Sequence, residues 1–367
     1  MAEYESPLWL CPYCGFKDSL WNTYYWKCPR CGKPLRVIYE KDFNPSGRGI
    51  ARYSSMLPFT PTKTRGEGST PLVVERINGS TLLFKLEYLN PSGSFKDRGT
   101  ALSIYYGFKI GYLETVEDTS GNTGISVALY SKLYGLKPIV VMPKTAPKGK
   151  KALVRALGAE LVETPDRSTA ATEVHRLIKD RYYVAHTWSY FYIIGASTIA
   201  FEVYEEAGIP DYVIVPIGSG GLVLGLIHGF LELVRLKVAS KIPRLIGVQG
   251  YSACPVYQAL RGSIVSKKSS HYADGIMVLN PPRLNEIVDV MKKYGYEIVL
   301  VDNEEILDAL YELYNMGFIV EPTSAAVWVA YKRIKDKVKG STILLPLTGS
   351  GLKTLIEREP PAGYSPI

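Results

Sequence analysis

The chain has no basic opening followed by an apolar run: Met1 to Pro7 reads MAEYESP, so no leader is expected and a cytoplasmic setting follows. Its longest apolar stretches, Tyr212 to Ile217 and Leu222 to Val234, are broken by glycines, His228 and Glu232 short of the roughly 20 residues that span a bilayer. No membrane partner is expected. A block of five like charges is also missing, although 43 Lys and Arg against 35 Asp and Glu leave a net charge of +8. Nucleic-acid binding needs basic residues concentrated in a stripe; dispersed ones suit small anionic ligands. Neither an internal repeat nor a low-complexity tract is found, so the 46% of hydrophobic residues can fill ordinary cores across 367 residues. Histidine is scarce, at 4, and His175, His228 and His271 fall in helical or loop patterns with no chemical company.

Cysteine is scarce too, at 5, yet four of the five stand in matched pairs, Cys11-x-x-Cys14 and Cys28-x-x-Cys31, each followed by glycine. Two such turns facing each other present four thiolates in a tetrahedron, the arrangement that suits Zn²⁺. With every position filled by protein the ion has no open site, so its role is structural. Two disulfides or a four-sulfur iron site are the competing readings, and a reducing cytosol disfavours the first. A ribbon can also face nucleic acid, and Lys27, Arg30, Lys33 and Arg36 lie near the second knuckle. Cys254 has no partner in the sequence and reads as a small buried hydrophobe.

Beyond a turn-rich connector around Asn44 to Gly68, short apolar strands alternate with amphipathic helices. Strands are expected at Pro138–Met142, Glu160–Thr164, Tyr212–Ile217, Leu245–Gly250, Glu297–Val301 and Thr342–Leu347, with helices at Lys148–Leu157 and Ala170–Asp180. Such alternation predicts open, mainly parallel α/β sheets covered on both faces. In those sheets ligands bind where strands end and helices begin, because free backbone N–H groups and the helix dipole point there.

Four strand-to-helix junctions carry the chemistry. Asn90-Pro91-Ser92-Gly93-Ser94-Phe95-Lys96-Asp97-Arg98-Gly99 runs from a turn into a helix expected to begin near Ser94. That puts Lys96 in the first turn, where the positive helix end disfavours an ammonium and favours an imine. Thr119-Ser120-Gly121-Asn122-Thr123-Gly124 precedes a helical pattern and offers small residues to a flat ring or a carboxylate. Gly218-Ser219-Gly220-Gly221-Leu222 follows a strand, and its unencumbered N–H groups suit a phosphate dianion. Leu347-Thr348-Gly349-Ser350-Gly351-Leu352-Lys353 closes the last strand, and Glu321-Pro322 opens a helix with proline at its first position.

The SFKDRG string, with Gly66-Glu67-Gly68-Ser69-Thr70-Pro71-Leu72 upstream, resembles the threonine synthases among the fold-type II pyridoxal-phosphate enzymes, and the resemblance covers nearly the whole chain, ribbon included. It implies an α/β, tryptophan synthase β-like architecture: a zinc ribbon over 1–40, then a catalytic region over 41–367 made of two interleaved α/β domains, the smaller roughly 100–200. It implies pyridoxal 5′-phosphate as cofactor, with Lys96 as the catalytic Schiff-base lysine, Asn122 at the phenolic oxygen, Gly218, Ser219, Gly220, Gly221 and Leu222 around the phosphate, and Thr348 at the pyridine nitrogen. Ser120 and Thr123 then receive a substrate carboxylate, and a homodimer is usual. The implied reaction converts O-phosphohomoserine and water to threonine and phosphate. Serine or threonine deamination and β-replacement, as in cysteine or cysteate synthesis, use the same pocket; a non-catalytic ribbon-bearing regulator is the reading from another class.

One stretch departs from the family. Where threonine synthases grip the substrate phosphate with a string like NSVNPYRLEGQKT, this chain reads His186-Thr187-Trp188-Ser189-Tyr190-Phe191-Tyr192, with His186 for Asn and Tyr192 for Arg. Losing a bidentate guanidinium is not conservative. A phosphorylated substrate therefore requires a replacement cation, expected from His186, Lys85, Lys63 or Arg98, with a hydroxyl from Thr187 or Ser189. A pocket lined instead by Trp188, Tyr190 or Tyr192 with no cation in reach indicates a substrate without phosphate.

Overall fold

The computed structural model describes residues 7–354; the first six residues of the opening read for a leader, and the last part of the expected catalytic region, lie outside them. The chain begins with β1 (Leu8–Leu10), β2 (Lys17–Ser19) and β3 (Arg36–Ile38), an antiparallel sheet in the order β2-β1-β3. Each cysteine pair closes the same turn: Gly15 N donates to Cys11 O at 3.0 Å and Gly32 N to Cys28 O at 2.9 Å. Both glycines have positive φ, 72° and 69°, where a side chain is disfavoured. All four sulfurs lie within 4.8 Å of one another, Cys11 and Cys28 buried, Cys14 and Cys31 exposed. No disulfide joins them.

A hairpin follows, β4 (Leu72–Ile77) and β5 (Ser80–Lys85), turned by Asn78-Gly79 with φ of 52° and 79° at the two corners. That dipeptide is the sequence signal for a two-residue hairpin turn. The chain then alternates: α1 (Lys96–Lys109), β6 (Glu114–Asp118), α2 (Asn122–Leu133), β7 (Lys137–Pro143), α3 (Lys148–Ala156), β8 (Glu160–Thr164), α4 (Arg167–Leu177) and β9 (Tyr182–Tyr183). Next come α5 (Tyr190–Ala207), β10 (Tyr212–Pro216), α6 (Gly221–Arg235), β11 (Arg244–Gly250), α7 (Pro255–Arg261) and α8 (Leu284–Lys293). The series ends with β12 (Glu297–Val301), α9 (Asn303–Asn315), α10 (Pro322–Ile334) and β13 (Thr342–Pro346). The expected strands fall within a residue of these bounds; the helix expected over Ala170–Asp180 starts three residues earlier, at Arg167, capped by Asp166.

Two sheets result. One is four-stranded and wholly parallel, β8-β7-β6-β9; the other is six-stranded, β12-β11-β10-β13-β5-β4, parallel except at the edge strand β4. The larger sheet is apolar on both faces, and the period of two sorts its residues. Phe84, Ile214 and Ile246 pack with Leu310 and Trp328 on one side, while Leu83, Val213 and Val215 pack with Ile199 and Leu226 on the other. The smaller sheet does the same: Val116 and Val141 meet Val174 of α4, and Val140 and Met142 meet Ala128 and Val154. No helix among the described residues is long and apolar enough to cross a membrane.

The ribbon is docked by its aromatic residues. Trp9 packs edge-on against Tyr106 and Phe191, the Tyr24 ring lies 4.4 Å from that of Tyr182, and Trp26 meets His175 and Trp188. Of the basic residues near the second knuckle, Arg36 pairs with Glu286 at 2.7 Å, and Lys27 and Arg30 lie over the rings of Trp26 and Phe16. Cys254 is buried with no sulfur partner.

Helix α1 is seated by a buried ionic cluster. Arg98, wholly buried, donates to both oxygens of Glu87 and both of Glu202 at 2.6–2.8 Å, and to Thr198 at 2.9 Å. Lys85 joins from β5, 2.9 Å from Glu202 and 2.7 Å from Glu206. Burial alone would raise the Glu202 carboxyl, but Arg98 and Lys85 outweigh it and hold it down to about 2. Arg98→Ala leaves Glu87 without its counter-charge and Glu202 with that of Lys85 alone; breaking a buried pair costs about 3–5 kcal/mol. Denaturant unfolding of the variant should show a loss of that size, and a loss under about 1 kcal/mol, the value of a surface pair, would show the cluster to be dispensable.

Candidate active site

The four junction strings come together in one cleft, because they all lie at the carboxyl ends of the two parallel sheets. Lys96 is the first residue of α1, and the segment before it is tied to the end of β13: Phe95 N donates to Thr348 O at 3.1 Å, and Ser94 bridges to Gly349. Lys353 reaches back to Ser92 O and Gly93 O at 3.1 and 2.7 Å, so the first and fourth strings form one unit. Asp97 locks the turn by accepting from Ser92 N at 2.6 Å and from Ser126 of α2 at 2.5 Å. The helix starts two residues later than expected, since Ser94 spends its backbone on the bridge.

Lys96, Ser120, Asn122, Thr123, Gly218, Ser219, Gly220, Gly221, Leu222, His186 and Thr348 all line this cleft. Thr187 falls outside the lining. The amine of Lys96 makes no hydrogen bond or ion pair among the described residues and lies 4.7 Å above the Phe95 ring. Burial pushes it down to about 8, with Arg167 assisting and Glu117 and Glu321 opposing. The direction agrees with the sequence reading, but withdrawal from water is the main cause rather than the helix end. Asn122 donates to Glu321 Oε1 at 2.7 Å, while its own buried Oδ1 has no partner among the described residues. Gly220 caps α6 in the left-handed region at φ 100°, and a Cβ there would also strike Ile287.

The replacement cations require correction. Lys85 and Arg98 are spent on Glu202, Glu87 and Glu206, and Lys63 donates to Leu133 O outside the cleft. His186 is in the lining but is no cation: burial, helped by the charges of Lys96 and Arg167, holds its pKa well below the usual imidazole value. The aromatic alternative fails as well. Trp188 packs on Trp26, Tyr190 on His228, and the Tyr192 hydroxyl pairs with Thr100 at 2.8 Å; none of the three lines the cleft.

The cation in the cleft is Arg167, at the start of α4, which the sequence reading did not single out. Its Nη1 donates to the carbonyls of Asp274 and Met277 at 3.4 and 3.0 Å, and among the described residues no carboxylate lies within ion-pair distance. Burial pulls its pKa below the ordinary guanidinium value, against Asp118 and Asp274. Nearby, Lys150 of α3 is buried, 2.8 Å from Asp274 and 3.2 Å from Glu321. Lys150 and Arg167 thus both reach across the cleft to the 274–277 segment, which is held to α10 by Gly275 N donating to Thr323 Oγ1 at 3.0 Å. Glu117, wholly buried at the end of β6, bonds to His186 Nδ1, and burial raises its carboxyl well above the usual range. Neither Arg167 nor Glu117 sits in a glycine-rich string; the one available signal was their place at a helix start and a strand end.

An amine held near 8 reacts in its neutral form, so labelling of Lys96 by an acylating reagent in cofactor-free protein should rise through pH about 8 and level off above it. Residue-resolved mass spectrometry measures this. A midpoint at the free-lysine value of about 10.4 would mean that the cleft does not desolvate the amine.

Comparison with known proteins agrees with this geometry. The family described as pyridoxal-phosphate dependent enzyme matches residues 63–349. The threonine synthase of Methanosarcina acetivorans is 26% identical over 94% of this chain and 91% of its own length; that of Halalkalibacterium halodurans is 31% identical over 83% and 90%. Among solved structures, the O-acetylserine dependent cystathionine beta-synthase of Helicobacter pylori superposes with a TM-score of 0.66 at 27% identity, covering 78% of this chain and 94% of that one. The chain belongs to the fold-type II pyridoxal-phosphate-dependent enzymes and, within them, to the threonine synthase family of carbon–oxygen lyases.

Proposed function

We propose that this enzyme converts O-phosphohomoserine and water to threonine and phosphate, and the observation that carries the reading is Arg167. A dianionic phosphate in a water-poor cleft needs donors, since an unpaired buried charge is strongly disfavoured. Arg167 offers a guanidinium with no carboxylate of its own, whose Nε and Nη2 have no hydrogen-bond acceptor among the described residues. It supplies a guanidinium to a cleft whose His186–Tyr192 string offers none.

The residues fit pyridoxal phosphate. A neutralisable Lys96, the orphaned Asn122 Oδ1, the N–H groups of Gly218 to Leu222 at the start of α6 and the Thr348 hydroxyl surround one space, and each lacks part of its polar complement from the protein. When bound, the cofactor supplies an electron sink for the substrate's Cα carbanion. The chain supplies the rest: Ser120 and Thr123 at the start of α2 receive the substrate carboxylate, Arg167 orients the phosphate, and Lys96 moves protons at Cα and Cβ before water adds at Cβ. Thr348, hydrogen-bonded with Ser324 at 3.1 Å, is a neutral partner for the pyridine nitrogen. Cys11, Cys14, Cys28 and Cys31 hold a structural Zn²⁺, a role supported by four sulfurs already gathered around one point and none in a disulfide.

Arg167→Ala should raise KM for O-phosphohomoserine by roughly 10- to 100-fold, the value of charge-assisted hydrogen bonds, while any deamination of serine or threonine stays within about twofold. Steady-state assays with the phosphorylated and unphosphorylated substrates, with and without sulfide, measure both. An unchanged KM sinks the role of Arg167, and turnover of the unphosphorylated substrates alone gives first place to a dehydratase or β-replacement enzyme. Metal analysis of reduced protein should return about one zinc per chain, lost together with ribbon docking in Cys11→Ser; zinc-free protein with a folded ribbon contradicts the assignment.

A further inference from the structure

A buried acid that the reaction above leaves unused stands behind the cleft wall, in contact with His186 of the lining. Glu117, the last residue but one of β6, has no exposure and makes two contacts with His186: its carboxyl bonds to the ring Nδ1 and accepts from the backbone N–H at 3.4 Å. The ring's other nitrogen, Nε2, has no hydrogen-bond partner among the described residues, and the side chain lines the same cleft as Lys96 and Arg167. The Tyr192 ring stands edge-on to it at 6.0 Å and limits its rotation. A carboxyl that orients an imidazole through Nδ1 and leaves Nε2 facing a reaction space is the arrangement that moves protons.

The leaving group needs a proton, and Glu321, the one carboxyl among the described residues of the lining, is held as an acceptor by Asn122 and Lys150. When the Cγ–O bond of a phosphomonoester dianion breaks, its electron pair goes to the ester oxygen, and without a proton the product is a phosphate trianion. Arg167 cannot supply that proton because a guanidinium does not release one in a protein. Lys96 is engaged at Cα and Cβ. The hydroxyls of Ser120, Thr123 and Thr348 can pass a proton but are not acids of useful strength.

We propose that His186 is the general acid for phosphate departure: its Nε2 proton goes to the ester oxygen as the Cγ–O bond breaks, and Glu117 is the positioning residue that holds the ring and passes a proton to Nδ1. This rests on the substrate being a phosphate ester. Phosphate then leaves as HPO₄²⁻. The pair, left one proton short and anionic beside Lys96 and Arg167, recovers it from the water whose hydroxyl adds to Cβ. Before the step the pair holds two protons and no net charge, which agrees with the raised carboxyl and the lowered imidazole described above.

The test compares two leaving groups in the holoenzyme, the phosphate ester and the corresponding sulfate ester of homoserine, since sulfate departs without a proton. In His186→Gln, kcat for the phosphate ester should fall by about 10²- to 10⁴-fold with little change in KM, the usual contribution of a positioned acid. The sulfate ester should lose less than about threefold. Glu117→Gln, which can still donate to Nδ1 but cannot pass a proton on, should show the same split in smaller measure. Nitrogen-15 NMR of the chain's 4 histidines, assigned by the signal lost in His186→Gln, should find Nε2 protonated in the resting enzyme at neutral pH. Equal losses on both esters, or an unprotonated Nε2, overturn the role of His186 alone; wild-type enzyme inert to the phosphate ester overturns the substrate reading and this role with it.

Discussion

The guanidinium of Arg98 holds the site in register. It stands two residues after Lys96, wholly buried, and satisfies acceptors from the segment after β5 (Glu87), from α5 (Glu202, Thr198) and from the strand entrance at Thr70. Because both charges of each pair are out of water, neither can relax toward solvent without exposing the other, so the first turn of α1 has one orientation. The same region is closed sterically. A Cβ on Gly195 would lie 2.4 Å from the Arg98 carbonyl carbon, so α5 passes directly against the turn that carries Lys96. Further along, α5 meets α6 just as closely, with Gly225 against Ala196. The lysine and the glycine-rich start of α6 are thus placed by one stack of three helices, and the precision of the cleft comes from packing behind it rather than from its own loops.

That stack also explains the electrostatics. Basic residues adjacent to the glycine-rich strings look available in one dimension, yet Lys85 and Arg98 serve the scaffold and their charge is neutralised before it reaches the cleft. The space itself contains Lys96 and Arg167, opposed by Glu321, which is shared with Asn122 and Lys150. Positive charge there is concentrated in two groups, one that can give up its proton and one that cannot. On the proposed reading a cofactor phosphate would be left to backbone N–H groups, which add no net charge, and Arg167 would be free for a second anion.

Much of this was legible in the sequence, and the boundary is physical. Strands such as Glu160–Thr164 and Glu297–Val301 were readable because apolar β-branched runs bounded by polar turns have few alternative fates. The cleft-lining strings were readable because glycine, serine and asparagine at a strand-to-helix junction form a local pattern. The hairpin over Leu72–Lys85 was also within reach through Asn78-Gly79, although it is not among the expected strands. Arg167 and Glu117 were not readable, because their importance comes from what lies across the cleft. His186 lies in the cleft lining, but its charge was not readable, since the burial that lowers its pKa depends on neighbours that no single string contains. Thr187, next to it in sequence, is not in the lining.

The two lysine and arginine arms that cross to the 274–277 segment give the cleft a further property. Lys150 belongs to α3 and Arg167 to α4, both on the smaller sheet, whereas the segment they hold is anchored to α10 on the larger one. Any molecule too large for the remaining gap must part these contacts to come in, and its product must part them again to leave. On the proposed reading admission and recognition share residues: the guanidinium assigned to the anion is also one of the bolts on the door.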